Sequence, residues 1–218
     1  GLALDPQGRL LAAETQTRRI TRTEADGKVN SIVDQFKGKR FNEPNDIAVR
    51  SDGTIYFTDP LFGQGSTELD FHGVFRIAPD GNLTAERRGA ISESPNGVAL
   101  SPDEKRLYMA DTQAQRMLVF DVAADGSLSE ARRFASTQGY PDGMAVDAAG
   151  NVFVASVRVG IEVFAPDGTA RGTIPLPNPG LGERQPTNCA FGGADARTLY
   201  ITAKGVLYRV KLQQPGLY

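Results

Sequence analysis

Residues 41–60 read "FNEPNDIAVRSDGTIYFTDP". Two later stretches have the same shape: "SPNGVALSPDEKRLYMADT" from Ser94 and "YPDGMAVDAAGNVFVAS" from Tyr140. Each places Pro, then Asn or Asp, then a short apolar run, a Gly-containing turn and a second apolar run. The closing stretch "PTNCAFGGADARTLYITA" follows a looser version of the pattern. Asn45, Asn96, Asp142 and Asn188 open the four runs, at steps of 51, 46 and 46 residues. The opening "GLALD" falls where a further copy is due, so the chain holds five copies, each the size of a propeller blade.

Within a copy the order repeats. "TIYFTD" is matched by "RLLAAE", "RLYMAD", "NVFVAS" and "TLYITA", and "GVFRIA" by "RITRTE", "RMLVFD", "GIEVFA" and "GVLYRV". Runs of this length between Gly-rich turns predict strands. No apolar period of 3.6 residues lasts three turns, so long helices are not expected. Four antiparallel strands per copy predict an all-β propeller. A β-solenoid is the rival fold, but its repeats are usually shorter.

The bulk numbers narrow the function. The chain has 218 residues, 40% apolar, with 24 basic against 26 acidic side chains. Basic residues come at most in doublets such as Arg18-Arg19, which argues against nucleic-acid binding. No apolar stretch approaches the ~20 residues of a membrane span. The single cysteine, Cys189, excludes an internal disulfide and reads as a buried structural thiol. The first residues lack the basic start and apolar centre of a signal peptide. A cytoplasmic and a periplasmic location both stay open.

In a propeller the first strand of each blade lies nearest the axis, so the residue before it stands at the rim of the central channel. The preceding Pro stiffens the approach, and Gly97 and Gly143 permit crowding. Asn45, Asn96 and Asp142 would present two amide oxygens and a carboxylate at one height, the donor chemistry of a hard divalent cation. Glu14, Asp59 and Asp111 end the second strands and would orient that set from behind. The plainer reading is that Asn and Asp before strands satisfy turn backbone groups. Asn188, set one residue further from its proline, is a weaker ligand candidate. Asp80 and Asp167, in "PDG" turns before outer strands, read as structural. The single histidine, His72, opens a third strand, and no G-x-S-x-G nucleophile elbow is present.

The motifs "PNDIAVRSDGTIYFTDP", "SPNGVALSPDEKRLYMADT" and "PDGMAVDAAGNVFVAS" resemble those of the gluconolactonase family, which includes the senescence marker protein and luciferin-regenerating enzymes. The likeness runs over essentially the whole chain and is nearest to bacterial gluconolactonases. It implies a six-bladed propeller with one axial divalent metal, Ca2+ first, with Zn2+ or Mg2+ as substitutes. It implies metal-dependent hydrolysis of a small-molecule sugar lactone, with no nucleic-acid or membrane partner. Carried over residue by residue, the metal ligands are Asn45, Asn96 and Asp142, and Asp142 is also the general base. Substrate contacts are expected from Asn45, from Phe62 and Glu68 in the loop Leu61–Glu68, and from His72. The family's N-terminal "EGP" glutamate has no counterpart, and Glu43 stands where animal members carry an Arg. A first blade is therefore expected to be missing, with the fourth protein ligand, leaving two exposed strand edges. The alternative is a non-catalytic propeller that binds a peptide or carbohydrate around a structural calcium ion.

Overall fold

A computed structural model describes residues 1–63, 67–177 and 185–217. Among them there is no helix; every regular element is a strand. The first sheet runs β1 (Leu2–Leu4), β2 (Leu10–Glu14), β3 (Arg19–Thr23), β4 (Val29–Val33) in that order. A short hairpin follows, β5 (Gln35–Phe36) with β6 (Lys39–Arg40), which the repeat pattern does not anticipate. The second sheet is β7 (Ile47–Val49), β8 (Ile55–Asp59), β9 (His72–Ile77), β10 (Leu83–Gly89). The third is β11 (Pro95–Leu100), β12 (Arg106–Asp111), β13 (Arg116–Asp121), β14 (Arg132–Ser136). The fourth is β15 (Tyr140–Val146), β16 (Val152–Val157), β17 (Gly160–Phe164), β18 (Ala170–Ile174). The fifth has, among the described residues, three strands where four are expected: β19 (Pro186–Gly192), β20 (Thr198–Ala203), β21 (Val206–Lys211). All pairings are antiparallel between neighbours in sequence, so the five sheets are the blades of a β-propeller.

The strand period of two explains how the blades stack. In β8, Ile55 and Phe57 pack toward the first blade with Leu11, Ile20, Phe41 and Phe75. Tyr56, between them, packs toward the third blade with Val98, Leu107 and Met109. In β12, Tyr108 and Ala110 turn the other way, onto Val152 and Val154 of the fourth blade. Phe153 and Ala155 then meet Cys189, Leu199 and Ile201 of the fifth. The second strands are thus apolar on both faces, which is why their sequences read as unbroken runs. The first seam is aromatic: Phe57 and Phe75 stack with centroids 5.2 Å apart, and Phe41 meets both edge-on. Each such buried ring contributes about 1.5–3 kcal/mol.

The turns obey local chemistry. Gly53, at φ +91, closes the "SDG" turn, and Asp52 Oδ1 accepts the Thr54 N–H at 2.8 Å. Asp80 and Asp167 do the same for Asn82 and Thr169, the structural role expected of them. Two sheet faces outside the four seams carry exposed apolar groups: Leu2, Leu4 and Leu10 on the first blade, Leu207 on the fifth.

Candidate active site and metal centre

The innermost strands converge so closely that side chains are excluded at two positions. A methyl group on Gly97 would lie 2.2 Å from the Asp142 carbonyl oxygen, and one on Gly143 would lie 2.2 Å from the Asn188 amide. The residues that open β11 and β15 are thereby pressed together at the axis.

Threonine hydroxyls tie successive blades at this rim. Thr15 donates to the Pro44 carbonyl at 3.0 Å, and Thr112 to the Pro141 carbonyl at 2.7 Å. Both follow the acid that ends a second strand, and both hold the proline just before an axial residue. In the second blade Pro60 occupies that place, and Thr58 takes over. Its hydroxyl accepts from Asp46 N at 3.1 Å and donates to the Asn96 carbonyl at 2.7 Å. Asn45 N donates to the Thr58 carbonyl at 2.9 Å. Asn45 and Asn96 are thus joined through one residue.

The orientation of Asn96 follows from this network. The Thr112 hydroxyl has spent its proton on Pro141, so it can only accept from Asn96, and Nδ2 lies 3.0 Å away. Oδ1 must then face the other way. It is buried and has no hydrogen-bond partner among the described residues. Asn96 Nδ2 also donates toward the Asp142 carboxyl. Burial, with the neighbouring Asp46 carboxylate, pushes the Asp142 acid up to about 7, while Asn96 and the Gly143 N–H oppose the rise. An orphaned amide oxygen on a side chain next to a half-buried acid that resists ionising is a donor set short of a cation. The residues present therefore fit a hard divalent ion. Among the described residues no three His, Cys, Asp or Glu side chains gather to hold a metal.

Asp46 belongs to this site although the repeat pattern does not single it out. Its Oδ2 accepts the Val98 N–H at 3.0 Å, which pins β7 to β11, and burial raises its carboxyl above the ordinary carboxylate range. The available signal is that Asp46 stands where the next two copies carry Gly97 and Gly143. Asp46 also lines an axial cavity of about 600 Å3 bounded by the first strands of all five blades.

Glu14, Asp59 and Asp111 make no direct hydrogen bond to the three axial side chains among the described residues. Asp59 Oδ2 accepts Asn42 N at 2.9 Å, and Asp111 Oδ1 accepts Ser94 N at 3.1 Å, so these two hold the segments entering β7 and β11. Asp111 is matched by Arg116 at 2.8 Å and Glu14 by Arg19 at 2.7 Å, each its cross-strand partner. Asp59 faces Gly73 instead, and burial pushes it up to about 7 against the Asn42 and Glu43 N–H groups. Glu14 spends its carboxylate within its own blade, on Arg19, Thr17 and Thr21.

The other expected substrate residues lie at this end of the second blade. Phe62 is exposed, and its N–H is held by Glu43 at 2.6 Å. Glu68 accepts Arg40 N at 2.9 Å. Positions 64–66 of the same loop lie outside the described residues. His72 is buried, with Nδ1 2.7 Å from the Glu93 carbonyl. Asn188 directs Oδ1 to its own neighbour, Cys189 N, at 2.8 Å. Cys189 is the buried thiol expected, pushed up to about 12 by desolvation.

The family described as "SMP-30/Gluconolactonase/LRE-like region" matches residues 1–205. The chain is 38% identical to a gluconolactonase of Zymomonas mobilis, across 99% of this chain and 64% of that protein. It therefore spans just under two thirds of that relative's length. It is 31% identical to a pentonolactonase of Haloferax volcanii, across 94% of this chain and 67% of the other. A solved gluconolactonase from Xanthomonas campestris superposes with a TM-score of 0.85 at 38% identity, covering all of this chain and 71% of that one.

Proposed function

Because the chain belongs to the SMP-30/gluconolactonase/LRE-like family, we propose that it serves as a metal-dependent lactone hydrolase acting on sugar lactones. Asn45, Asn96 and Asp142 are the residues that would hold the ion, calcium first, with zinc or magnesium as substitutes. The observation that carries this reading is the buried, unpartnered Oδ1 of Asn96, turned away from Thr112 on a side chain that neighbours Asp142. The names borne by the relatives, gluconolactonase and pentonolactonase, support the substrate class.

A bound divalent ion supplies polarisation of the lactone carbonyl and a more acidic water. The chain's own groups do the rest. Asp142 accepts a proton from the attacking water, the role of a general base within hydrogen-bond reach of it. The ring ester C–O bond breaks, the ring oxygen takes up a proton, and the open hydroxy acid leaves. Asn45, Phe62, Glu68 and His72 orient the sugar. Asp59 and Asp111 keep the entry segments of β7 and β11 in place through Asn42 N and Ser94 N.

The test is hydrolysis of glucono-δ-lactone followed by acid release. Turnover should disappear with a chelator, return with calcium, and fall at least a hundredfold in Asn96→Ala. Calcium binding without turnover of any sugar lactone would instead favour the non-catalytic propeller.

A further inference from the structure

His72 is the single histidine of the chain, and the fold fixes its chemistry. In β9 it shares a face with Val74, because side chains alternate along a strand. Val74 packs with Val98 and Met109 in the seam between the second and third blades. Gly73 and Phe75 face the other seam, with Phe57. His72 therefore stands at the rim end of the seam between the second and third blades. One cross-strand step below it, opposite Val74, the Thr58 hydroxyl grips the Asn96 carbonyl.

The ring is held from one side only. Nδ1 lies 2.7 Å from the carbonyl oxygen of Glu93, three residues before Asn96. A carbonyl can only accept, so Nδ1 carries the proton. In the neutral imidazole Nε2 is then a bare acceptor. His72 is only 4% exposed, and Nε2 has no hydrogen-bond partner among the described residues. The rim thus carries two buried acceptors with no partner among the described residues, His72 Nε2 at this seam and Asn96 Oδ1 nearer the axis. Buried acceptors are seldom left unmet, and a hydroxyl donor reaching the rim would meet His72 Nε2.

We propose that His72 Nε2 accepts a hydrogen bond from a hydroxyl group of a polyhydroxylated lactone, and that this contact selects hydroxylated rings over plain alkyl lactones. The proposal rests on the lactonase reading for its ligand. It adds to that reading a defined tautomer, a defined atom and a direction of specificity. A site built to meet a hydroxyl discriminates strongly against an analogue that lacks it, because its own polar atom is then left bare.

Having one histidine makes the test direct. Nitrogen-15 NMR of the full chain should show a proton on Nδ1, and the Nε2 resonance should move when D-gluconate is added but not when valerate is. In kinetics, His72→Leu should collapse the ratio of kcat/KM for glucono-δ-lactone over δ-valerolactone by about ten- to a hundredfold, mostly through KM. His72→Gln, which keeps an acceptor, should recover part of that ratio. An Nε2–H tautomer, an Nε2 signal indifferent to saturating gluconate, or equal losses on both lactones in His72→Leu would overturn the proposal. If the wild-type chain hydrolyses neither lactone, the lactonase reading fails by itself, and the response of Nε2 to gluconate still decides the role of His72.

Discussion

The Asn96 amide and the Thr112 hydroxyl are 3.0 Å apart, and because Thr112 donates onward to Pro141, that contact sets which end of the amide faces the axis. A threonine in the third blade thus aims an oxygen of the same blade while holding the approach to the fourth. Thr112→Val keeps the shape and removes the hydroxyl. We expect calcium affinity to fall by about tenfold, the lower end for losing a group that orients a ligand. Calorimetric titration of calcium into both proteins checks this; unchanged affinity would mean that Asn96 needs no such restraint.

Asp59 offers a pH prediction. Its ordinary value is 3.8, and burial raises it to about 7 in the folded chain. Between those values the folded protein binds more protons than the unfolded one, so this group's contribution to stability is full below pH 3.8 and is lost as pH rises through 7. Asp59→Asn cannot ionise but still offers an oxygen to Asn42 N. Relative to wild type, the variant should therefore gain stability as pH rises from about 4 to 7, by about 1–3 kcal/mol after allowance for relaxation around the charge. Urea unfolding of both proteins across that range reads the difference directly. A constant difference would show that Asp59 ionises as freely in the fold as outside it.

Gly97 tests the crowding at the axis. A methyl group added there would meet the Asp142 carbonyl oxygen at 2.2 Å and Gly143 Cα at 2.8 Å. Backbone cannot step aside as a flexible side chain can. Gly97→Ala should cost about 3 kcal/mol, whereas Gly205→Ala, where nothing lies within 4 Å, should stay within about 0.5 kcal/mol. Denaturation midpoints decide it; similar costs at the two sites would mean that the blades can separate at little expense.

Much of this molecule is legible in its sequence. The register of Asn45, Asn96, Asp142 and Asn188 yields the blade count, and the two-sided apolar second strands, such as Ile55–Asp59, follow from stacking each sheet between two others. The pairing of Glu14 with Arg19 and of Asp111 with Arg116 also has a readable spacing of five residues, which Asp59 lacks. Contacts between blades are not readable in this way. Thr58 meets Asn96 across 38 residues and Asp46 meets Val98 across 52, and no local pattern marks either. Nor does sequence spacing reveal that Nε2 of His72 is buried without a partner among the described residues, since that depends on how two sheets close over it. The short β5–β6 hairpin and the three-stranded fifth sheet likewise fall outside the repeat.

The central claim is that the oxygens of Asn45, Asn96 and Asp142 meet at one point on the axis and hold an ion there. The most direct measurement is an anomalous-difference map from crystals grown with manganese in place of calcium. One strong axial peak is expected, with Asn45 Oδ1, Asn96 Oδ1 and the Asp142 carboxylate all within about 2.6 Å. An axis with no peak, or a peak ligated by none of these three, would contradict the claim.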